Sequence, residues 1–160
     1  MSKTSIDLPD EYECAFCAYI RGARPYTFVW REERVAVMIT REQRGVAHLL
    51  VVPIAHVPTL LDLPDESAAD VLIAVRDAAT TIDRAYERPG LAVWQNNGRS
   101  AHQMIPHLHF HVAGTLPEGG TDFGPVEEIP VSATDEIGRR LASHVPARAE
   151  SKRRVEPRLT

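Results

Sequence analysis

Three histidines alternate with apolar residues in the segment His107-Leu108-His109-Phe110-His111. Alternation with a period of two is typical of a half-buried β-strand, so the three imidazoles are predicted to leave one face of it. Two strand rises separate consecutive histidines by roughly 7 Å, which is close enough to surround one phosphate group or to contribute to a metal site. A histidine-rich surface strand is the alternative. Because the chain has only 7 histidines in 160 residues, strict alternation of three favours a functional role.

Two cysteines, Cys14 and Cys17, stand one helical turn apart near the N-terminus. In a reducing compartment such a pair is more typical of a metal site or a redox pair than of a structural disulfide. A thioredoxin-like redox motif would follow a strand, and no strand is predicted before Cys14. A redox pair is therefore the weakest interpretation, behind a metal site and a pair of buried free thiols.

The elements that must position these residues follow from hydrophobic periodicity and turn residues. Strands are predicted over residues 27–30, 35–40, 48–53 and 91–95, and the triad strand follows Pro106. Helices are predicted over residues 11–21, 64–88 and 134–144. The second helix has an apolar stripe at helical spacing, formed by Ala68, Val71, Leu72, Val75, Ala79, Ile82 and Tyr86. The pattern predicts an α+β domain, an antiparallel sheet of about five strands with a long helix packed on it.

Composition limits the function classes. A hydrophobic fraction of 44% and a charged fraction of 25% are ordinary for one soluble domain, predicted over residues 1–146. Residues 147–160 are predicted to be a basic, disordered tail, and the acidic remainder argues against specific nucleic-acid binding. No apolar run approaches the ~20 residues that span a bilayer, and the N-terminus lacks a signal-peptide pattern, so a cytoplasmic location without membrane association is expected.

Three motifs occur in order along the chain. The last runs from Asn96 to His111 and includes Gln103. Before it come His48-Leu-Leu-Val-Val-Pro53-x-x-His56 and, near the N-terminus, Cys14-x-x-Cys17. Together these motifs resemble those of the histidine-triad family of nucleotide hydrolases and transferases. The resemblance implies the histidine-triad fold and a homodimer, in which an edge strand and the long helix would pair across a two-fold axis.

The resemblance also implies covalent nucleotidyl transfer, with His107, His109 and His111 as the catalytic residues. The central histidine attacks phosphorus in the family, so His109 is the implied nucleophile. A neutral imidazole is a good nucleophile near pH 7 when a backbone carbonyl fixes its second nitrogen. His111 would hydrogen-bond the phosphate oxygens as charge develops. Asn96 and Gln103 match amide positions of the family and are expected to hold the phosphate and the attacking water.

A structural zinc ion, one per chain, is implied for the branch of the family with this cysteine pair. The implied ligands are Cys14, Cys17, His48 and His107. Two thiolates and two imidazoles leave no open position, which is typical of a structural tetrahedral site. Such a site would hold the triad strand beside the nucleophile. For His56, which follows Pro53 by three residues, a role in a loop or at a helix entry and a role in catalysis are both open.

Three positions depart from the family pattern on the substrate side. Thr40 replaces an acidic residue that holds the ribose hydroxyls, so sugar recognition is expected to differ. Met104 replaces a Ser or Thr that helps to protonate the leaving group. His102 stands where glycine is usual, and it either supplies that proton or lies in solvent.

The function implied by the resemblance is hydrolysis of a nucleoside phosphoramidate or a (di)nucleoside polyphosphate through nucleotidyl-His109, releasing a mononucleotide. One alternative is a nucleotidyltransferase of the same chemistry, similar to galactose-1-phosphate uridylyltransferase. His111 argues against it, because glutamine is typical of the third triad position there. Another is a nucleotide-binding or interaction protein in which Thr40 and Met104 mark reduced or lost catalysis.

Overall fold

A five-stranded antiparallel sheet forms the centre of the molecule. The structure, a computed structural model, describes residues 4–10 and 12–151. The strands are β1 (Phe28–Arg31), β2 (Val35–Ile39), β3 (His48–Pro53), β4 (Leu91–Gln95) and β5 (Phe110–Gly114). Their order across the sheet is β1-β2-β3-β5-β4, and every neighbouring pair is antiparallel. The predicted α+β architecture is confirmed.

Four α-helices accompany the sheet in the part of the chain that the structure describes. They are α1 (Ala15–Ile20), α2 (Asp65–Tyr86), α3 (Val131–Ala142) and α4 (Ala147–Ser151). The long helix α2 begins after Pro64 with Asp65 and Glu66 in its first turn, where their charge favours the helix dipole. Among the described residues, no helix is both long enough and apolar enough to cross a membrane.

Helix α2 covers one face of the sheet with an apolar stripe that differs slightly from the predicted one. Val71, Val75 and Ile82 are buried as expected, but Leu72 is 64% exposed. Alanines fill the rest of the contact, at positions 74, 78 and 85. Small residues there let the helix approach the sheet closely, which rotates Leu72 out of the interface.

The opposite face of the sheet has a smaller apolar cluster, contributed by α1, β2 and β3. Phe16 and Ile20 of α1 pack there against Met38, Leu50 and Val52. Helix α2 packs on the other face and does not cover this one. We therefore expect on this face the predicted site residues, His107, His109 and His111.

The triad strand is shorter than predicted. Strand β5 begins at Phe110, so only His111 lies within it, opposite Leu50 on one side and Trp94 on the other. The preceding residues are held differently, because the Leu108 amide donates to the Val57 carbonyl oxygen at 2.6 Å, beyond the end of β3. The triad therefore spans the junction between a loop and a strand.

The predicted disorder from residue 147 is wrong for the first part of that segment, which forms α4. Arg148 Nη2 lies 2.5 Å from Asp77 Oδ2 of α2, and Ala149 is fully buried. Asp77 is itself buried, so the ion pair fixes α4 onto α2. Residues 152–160 of the predicted tail lie outside the described residues.

Candidate active site and metal centre

His109 has the hydrogen bonding that a nucleophilic imidazole needs. Its Nδ1 lies 2.7 Å from the carbonyl oxygen of His107. Since a carbonyl only accepts, Nδ1 bears the hydrogen and Nε2 keeps its lone pair. The ring is 8% exposed and packs between Phe16 and His111, at centroid distances of 5.0 Å and 4.9 Å. These contacts fix the orientation of the free Nε2.

His111 is held by a second histidine, His48. The Glu42 carbonyl oxygen lies 2.9 Å from His48 Nδ1, nearer than the Arg44 backbone nitrogen at 3.3 Å, so Nδ1 donates to Glu42. His48 Nε2 therefore accepts from His111 Nδ1 at 3.0 Å. The Nε2 atom of neutral His111 is left without a hydrogen and can take up a proton beside a negatively charged phosphate.

Burial keeps these rings uncharged at neutral pH. It lowers the pKa of His48 to about 4. Burial, together with the repulsion that protonated His109 and His48 would exert, lowers the pKa of His111 to about 2. Burial lowers the pKa of His107 to about 4, partly offset by a hydrogen bond to Pro53. Burial also lowers the pKa of His109, against the effect of its bond to His107. Neutral imidazole is the form that both a nucleophile and a metal ligand require.

The two cysteines form a candidate metal centre with two histidines. The ligand atoms of Cys14, Cys17, His56 and His107 all lie within 4.8 Å of one another. Sulfur to Nδ1 distances are 3.3 Å for Cys14–His107, 3.5 Å for Cys17–His56 and 3.6 Å for Cys17–His107. A tetrahedral zinc ion with ordinary Zn–S and Zn–N bonds would separate such atoms by about 3.6 Å. The donor set and its spacing fit zinc.

Local hydrogen bonds orient the candidate ligand atoms of this cluster. Cys14 is the N-cap of α1, and its sulfur accepts a hydrogen bond from the Cys17 amide at 3.5 Å. His107 Nε2 donates to the Pro53 carbonyl oxygen at 2.9 Å, which leaves the Nδ1 lone pair directed at the sulfurs. Such an outer hydrogen bond is typical of histidine ligands.

The prediction of His48 as a metal ligand is wrong. His48 begins β3 and bonds to His111, whereas the cysteines lie near the other end of that strand. A six-residue strand separates its ends by about 17 Å, too far for His48 to reach them. His56 follows Pro53 by three residues and so lies at the cysteine end.

Gln103 does not have the substrate-binding role that was predicted. The residue is 1% exposed, and its Oε1 accepts from the Gly98 amide at 2.7 Å. Its Nε2 donates to the carbonyl oxygens of Pro58 and Ile105, at 2.8 Å and 3.0 Å. Both amide hydrogens are used within the protein, so Gln103 stabilises the turn that carries the triad rather than contacting a phosphate.

Asn96 and Thr40 follow two different strands of the sheet. Asn96 follows β4, is half-buried and donates one amide hydrogen to the Ala101 carbonyl oxygen at 2.7 Å. Thr40 follows β2, is 8% exposed, and its hydroxyl oxygen accepts from the Glu42 amide at 3.3 Å. Thr40 also hydrogen-bonds Tyr26, whose pKa burial raises. The Thr40 hydroxyl is thus partly occupied within the protein.

The structure does not bring the other two substrate-side candidates to the triad. Met104 is 80% exposed and His102, at φ 63°, is exposed at the end of a 3₁₀ turn, Arg99–Ala101. Neither side chain has a ring contact or hydrogen bond to the triad among the described residues. Their predicted roles stay predictions.

A model of the HIT domain family matches residues 21–117. The chain belongs to the HIT family. It is 30% identical over 140 residues to the protein hit of Bacillus subtilis, covering 81% of this chain and 95% of the relative. It is 30% identical to an adenosine 5'-monophosphoramidase of Candida albicans, covering 76% and 81%. The zinc-bound crystal structure of a histidine triad protein from Mycobacterium smegmatis shares the fold, with a TM-score of 0.74, 24% identity and coverage of 87% and 96%.

Three residues of this HIT protein's site escaped prediction. Trp94 stacks on His111, with ring centroids 4.7 Å apart and planes 3° from parallel. Phe16 contacts His109, and His56 completes the cysteine–histidine cluster. His56 belongs to the second motif of the sequence. It can be identified as a candidate metal ligand only from the structure, in which the cysteines lie beyond the end of β3.

Proposed function

We propose that this HIT protein is a hydrolase that cleaves nucleoside phosphoramidates or (di)nucleoside polyphosphates through a covalent nucleotidyl-histidine on His109. The observation that supports this most directly is the 2.7 Å bond from His109 Nδ1 to the His107 carbonyl oxygen, which leaves Nε2 as a nucleophile. The relative named as an adenosine 5'-monophosphoramidase supports the phosphoramidate branch.

The proposed reaction has two displacements at phosphorus. His109 Nε2 attacks, and the bond to the leaving nitrogen or oxygen breaks with its electron pair; a leaving amine takes one proton from solvent. Water then attacks phosphorus and releases one proton, while the electron pair of the P–Nε2 bond returns to His109. Negative charge on the phosphate favours protonation of His111 Nε2, which then donates a hydrogen bond to a phosphate oxygen.

The direct test is incubation with adenosine 5'-monophosphoramidate. We expect release of AMP, and His109→Ala should reduce kcat/KM by at least about a thousandfold because the nucleophile is gone. The matched control is His144→Gln, in the turn after α3, which should retain activity. Unchanged turnover in a folded His109→Ala protein would refute the mechanism.

Trapping distinguishes the alternatives. Rapid denaturation during turnover should isolate nucleotidyl-His109, and its decay in water alone favours a hydrolase. Faster decay with a phosphate or alcohol acceptor would favour a nucleotidyltransferase. Tight mononucleotide binding by calorimetry, without turnover of any phosphoramidate or polyphosphate, would favour a binding protein.

We also propose that Cys14, Cys17, His56 and His107 hold one structural zinc ion per chain. When bound, zinc supplies a closed, non-reactive crosslink. Purified protein should contain about one zinc per chain, and His56→Ala should lose it while His48→Asn keeps it. Zinc retained in His56→Ala but lost in His48→Asn would reverse the ligand assignment.

A homodimer through β4 is the third part of the proposal. β4 is one of the two edge strands of the sheet, and its Leu91 and Val93 are 39% and 50% exposed. Trp94 faces the site, so by alternation these two residues lie on the α2 side of the sheet, as does exposed Leu72. An unpaired apolar edge favours pairing with a second copy across a two-fold axis.

A further inference from the structure

A row of aromatic rings extends from His111 away from the nucleophile. Trp94 stacks on His111, and Phe123 meets the Trp94 ring at 5.9 Å with planes 61° apart. His48 also contacts the indole, with centroids 5.1 Å apart, and it lies next to His111, whose centroid is 5.2 Å from that of His48. Phe123 is 77% exposed, so most of its surface contacts no other part of the protein.

The position of Phe123 is set by its neighbours rather than by burial. The Asp122 amide donates to the Arg44 carbonyl oxygen at 2.8 Å. Arg44 Nη1 donates to the carbonyl oxygens of Asp122 and Gly124, at 3.2 Å and 2.8 Å. The segment is therefore fixed on both sides of an exposed phenyl ring. An aromatic side chain held in place before binding loses little entropy when a ligand contacts it.

A different aromatic row extends from the other side of His109. Phe16 contacts Tyr19 at 6.3 Å, and Tyr19 stacks on Tyr26 at 4.1 Å. This row ends in hydroxyl groups, because Tyr26 hydrogen-bonds Thr40. The row through Trp94 instead ends in the hydrocarbon ring of Phe123.

The two rows differ in chemistry. This difference indicates where the two substituents of a phosphorus atom beside His109 Nε2, the nucleoside and the leaving group, would lie. A sugar with its hydroxyls matches the row that ends at Tyr26 and Thr40. The second substituent, which is the leaving group, then lies along the row formed by Trp94 and Phe123. Those two rings offer stacking and edge contacts, for which a planar apolar group is the best partner.

We propose that Trp94 and Phe123 form a subsite that selects leaving amines bearing an aromatic ring. This inference rests on the proposed nucleotidyl-His109 reaction and names the leaving-group class for it. An aromatic contact of this kind corresponds to about a tenfold preference in kcat/KM. The bonds made and broken at phosphorus are those of the proposed reaction.

The test compares two adenosine 5'-phosphoramidates, one of 2-phenylethylamine and one of propylamine. Both amines are primary alkylamines of similar basicity, so a difference in kcat/KM reports contacts with the ring. We expect the wild type to favour the phenylethyl substrate about tenfold. Phe123→Ala and Trp94→Leu should bring the ratio close to one, and Trp94→Phe should retain part of it. The matched control is Leu61→Ala, 71% exposed outside the site, which should keep the wild-type ratio.

A binding measurement distinguishes failure of the aromatic subsite from failure of the proposed reaction. Calorimetry of both substrates with the His109→Ala protein measures the same preference without turnover. A ratio that stays unchanged in both Phe123→Ala and Trp94→Leu, in kinetics and in binding, would overturn the subsite. Turnover of neither substrate by the wild type would instead contradict the proposed function, while a ring-dependent affinity in calorimetry would still support the subsite.

Discussion

At the scale of single residues, hydrogen-bond partners assign different roles to chemically identical side chains. His107, His109 and His111 differ in what their Nδ1 atoms face: cysteine sulfur, a carbonyl oxygen and a histidine nitrogen. These partners underlie the proposed roles of the three residues as metal ligand, nucleophile and proton acceptor. Alternation alone predicts a shared face, but it contains no information on the partners, which come from segments far away in the sequence.

His48 should make stability depend on pH. Burial lowers its pKa from 6.5 to about 4. The unfolded chain therefore takes up a proton at a higher pH than the folded chain, so stability is present near neutral pH and is lost as pH falls through this window. Between pH 7 and about pH 4.5 this amounts to about 2–3 kcal/mol. His48→Asn should make the loss, measured by urea unfolding, smaller by that amount.

The control for this pH dependence is His144→Gln, in the turn after α3. It should retain the full wild-type loss of stability between pH 7 and pH 4.5. If His48→Asn lost as much stability as the wild type over the same range, the neutral buried state of His48 would be refuted.

With threonine at position 40, the protein should discriminate between ribose and deoxyribose less strongly than it would with an acidic residue there. The histidine-triad family pattern has an acidic residue at this position. A hydrogen bond to a charged group is worth about 1.5–3 kcal/mol. Without a carboxylate, we expect kcat/KM for adenosine and 2'-deoxyadenosine phosphoramidates to differ by less than about fivefold. Thr40→Asp should raise the ratio about tenfold or more, and Thr80→Asp on α2 serves as the control. Strong discrimination by the wild type would show that another group binds the sugar.

At the scale of elements, local pattern predicted the regular structure well. The predicted range of β3 is observed, and those of β1, β2 and α2 are shifted by two residues or fewer at their ends. The choice between His48 and His56 failed because it depends on which end of β3 faces α1. That is a tertiary relation, which periodicity within one segment does not contain. Trp94 was missed for the same reason, since its contact with His111 depends on the pairing of β4 with β5.

Removal of the proposed zinc ion should loosen α1 selectively. This helix has only six residues, too few to be stable alone in water, and its start carries both cysteine ligands. After chelation, amide hydrogen exchange should increase in residues 14–20, whereas the amides of α2 should change little. Activity should fall as well, because Phe16 of α1 contacts His109. Added zinc should restore both, and exchange unaffected by chelation would contradict a structural metal at this position.

The docking of α4 should depend on the buried carboxylate of Asp77. Arg148 pairs with it at 2.5 Å, and the other partner, Arg76, has a side chain that is 67% exposed. Arg148→Met should therefore cost about 2–3 kcal/mol of unfolding free energy, because a buried charge loses its better-shielded partner. Arg139→Met, exposed on α3, is the control. Adding Asp77→Asn to Arg148→Met should recover part of the loss, and simple additivity would argue against the pair.

At the scale of the whole molecule, the two faces of the sheet have separate tasks. The α2 face provides most of the core, through the packing of Val71, Val75 and Ile82 on the strands. The other face carries the histidines, the cysteine cluster and two aromatic rows. Because β5 contributes Val112 to one face and His111 to the other, the packing of the core directly positions His111.

The exposed edge of β4 should then be the place where two copies meet. Pairing β4 with its symmetry mate would satisfy the edge amides, bury Leu91 and Val93, and place the two sites on one continuous sheet. Sedimentation equilibrium should give a dimer at micromolar concentration. Val93→Lys should give a monomer, because a charge would be buried at the axis, whereas Leu61→Lys should remain a dimer. A wild-type monomer, or a dimer that tolerates Val93→Lys, would exclude this edge as the interface.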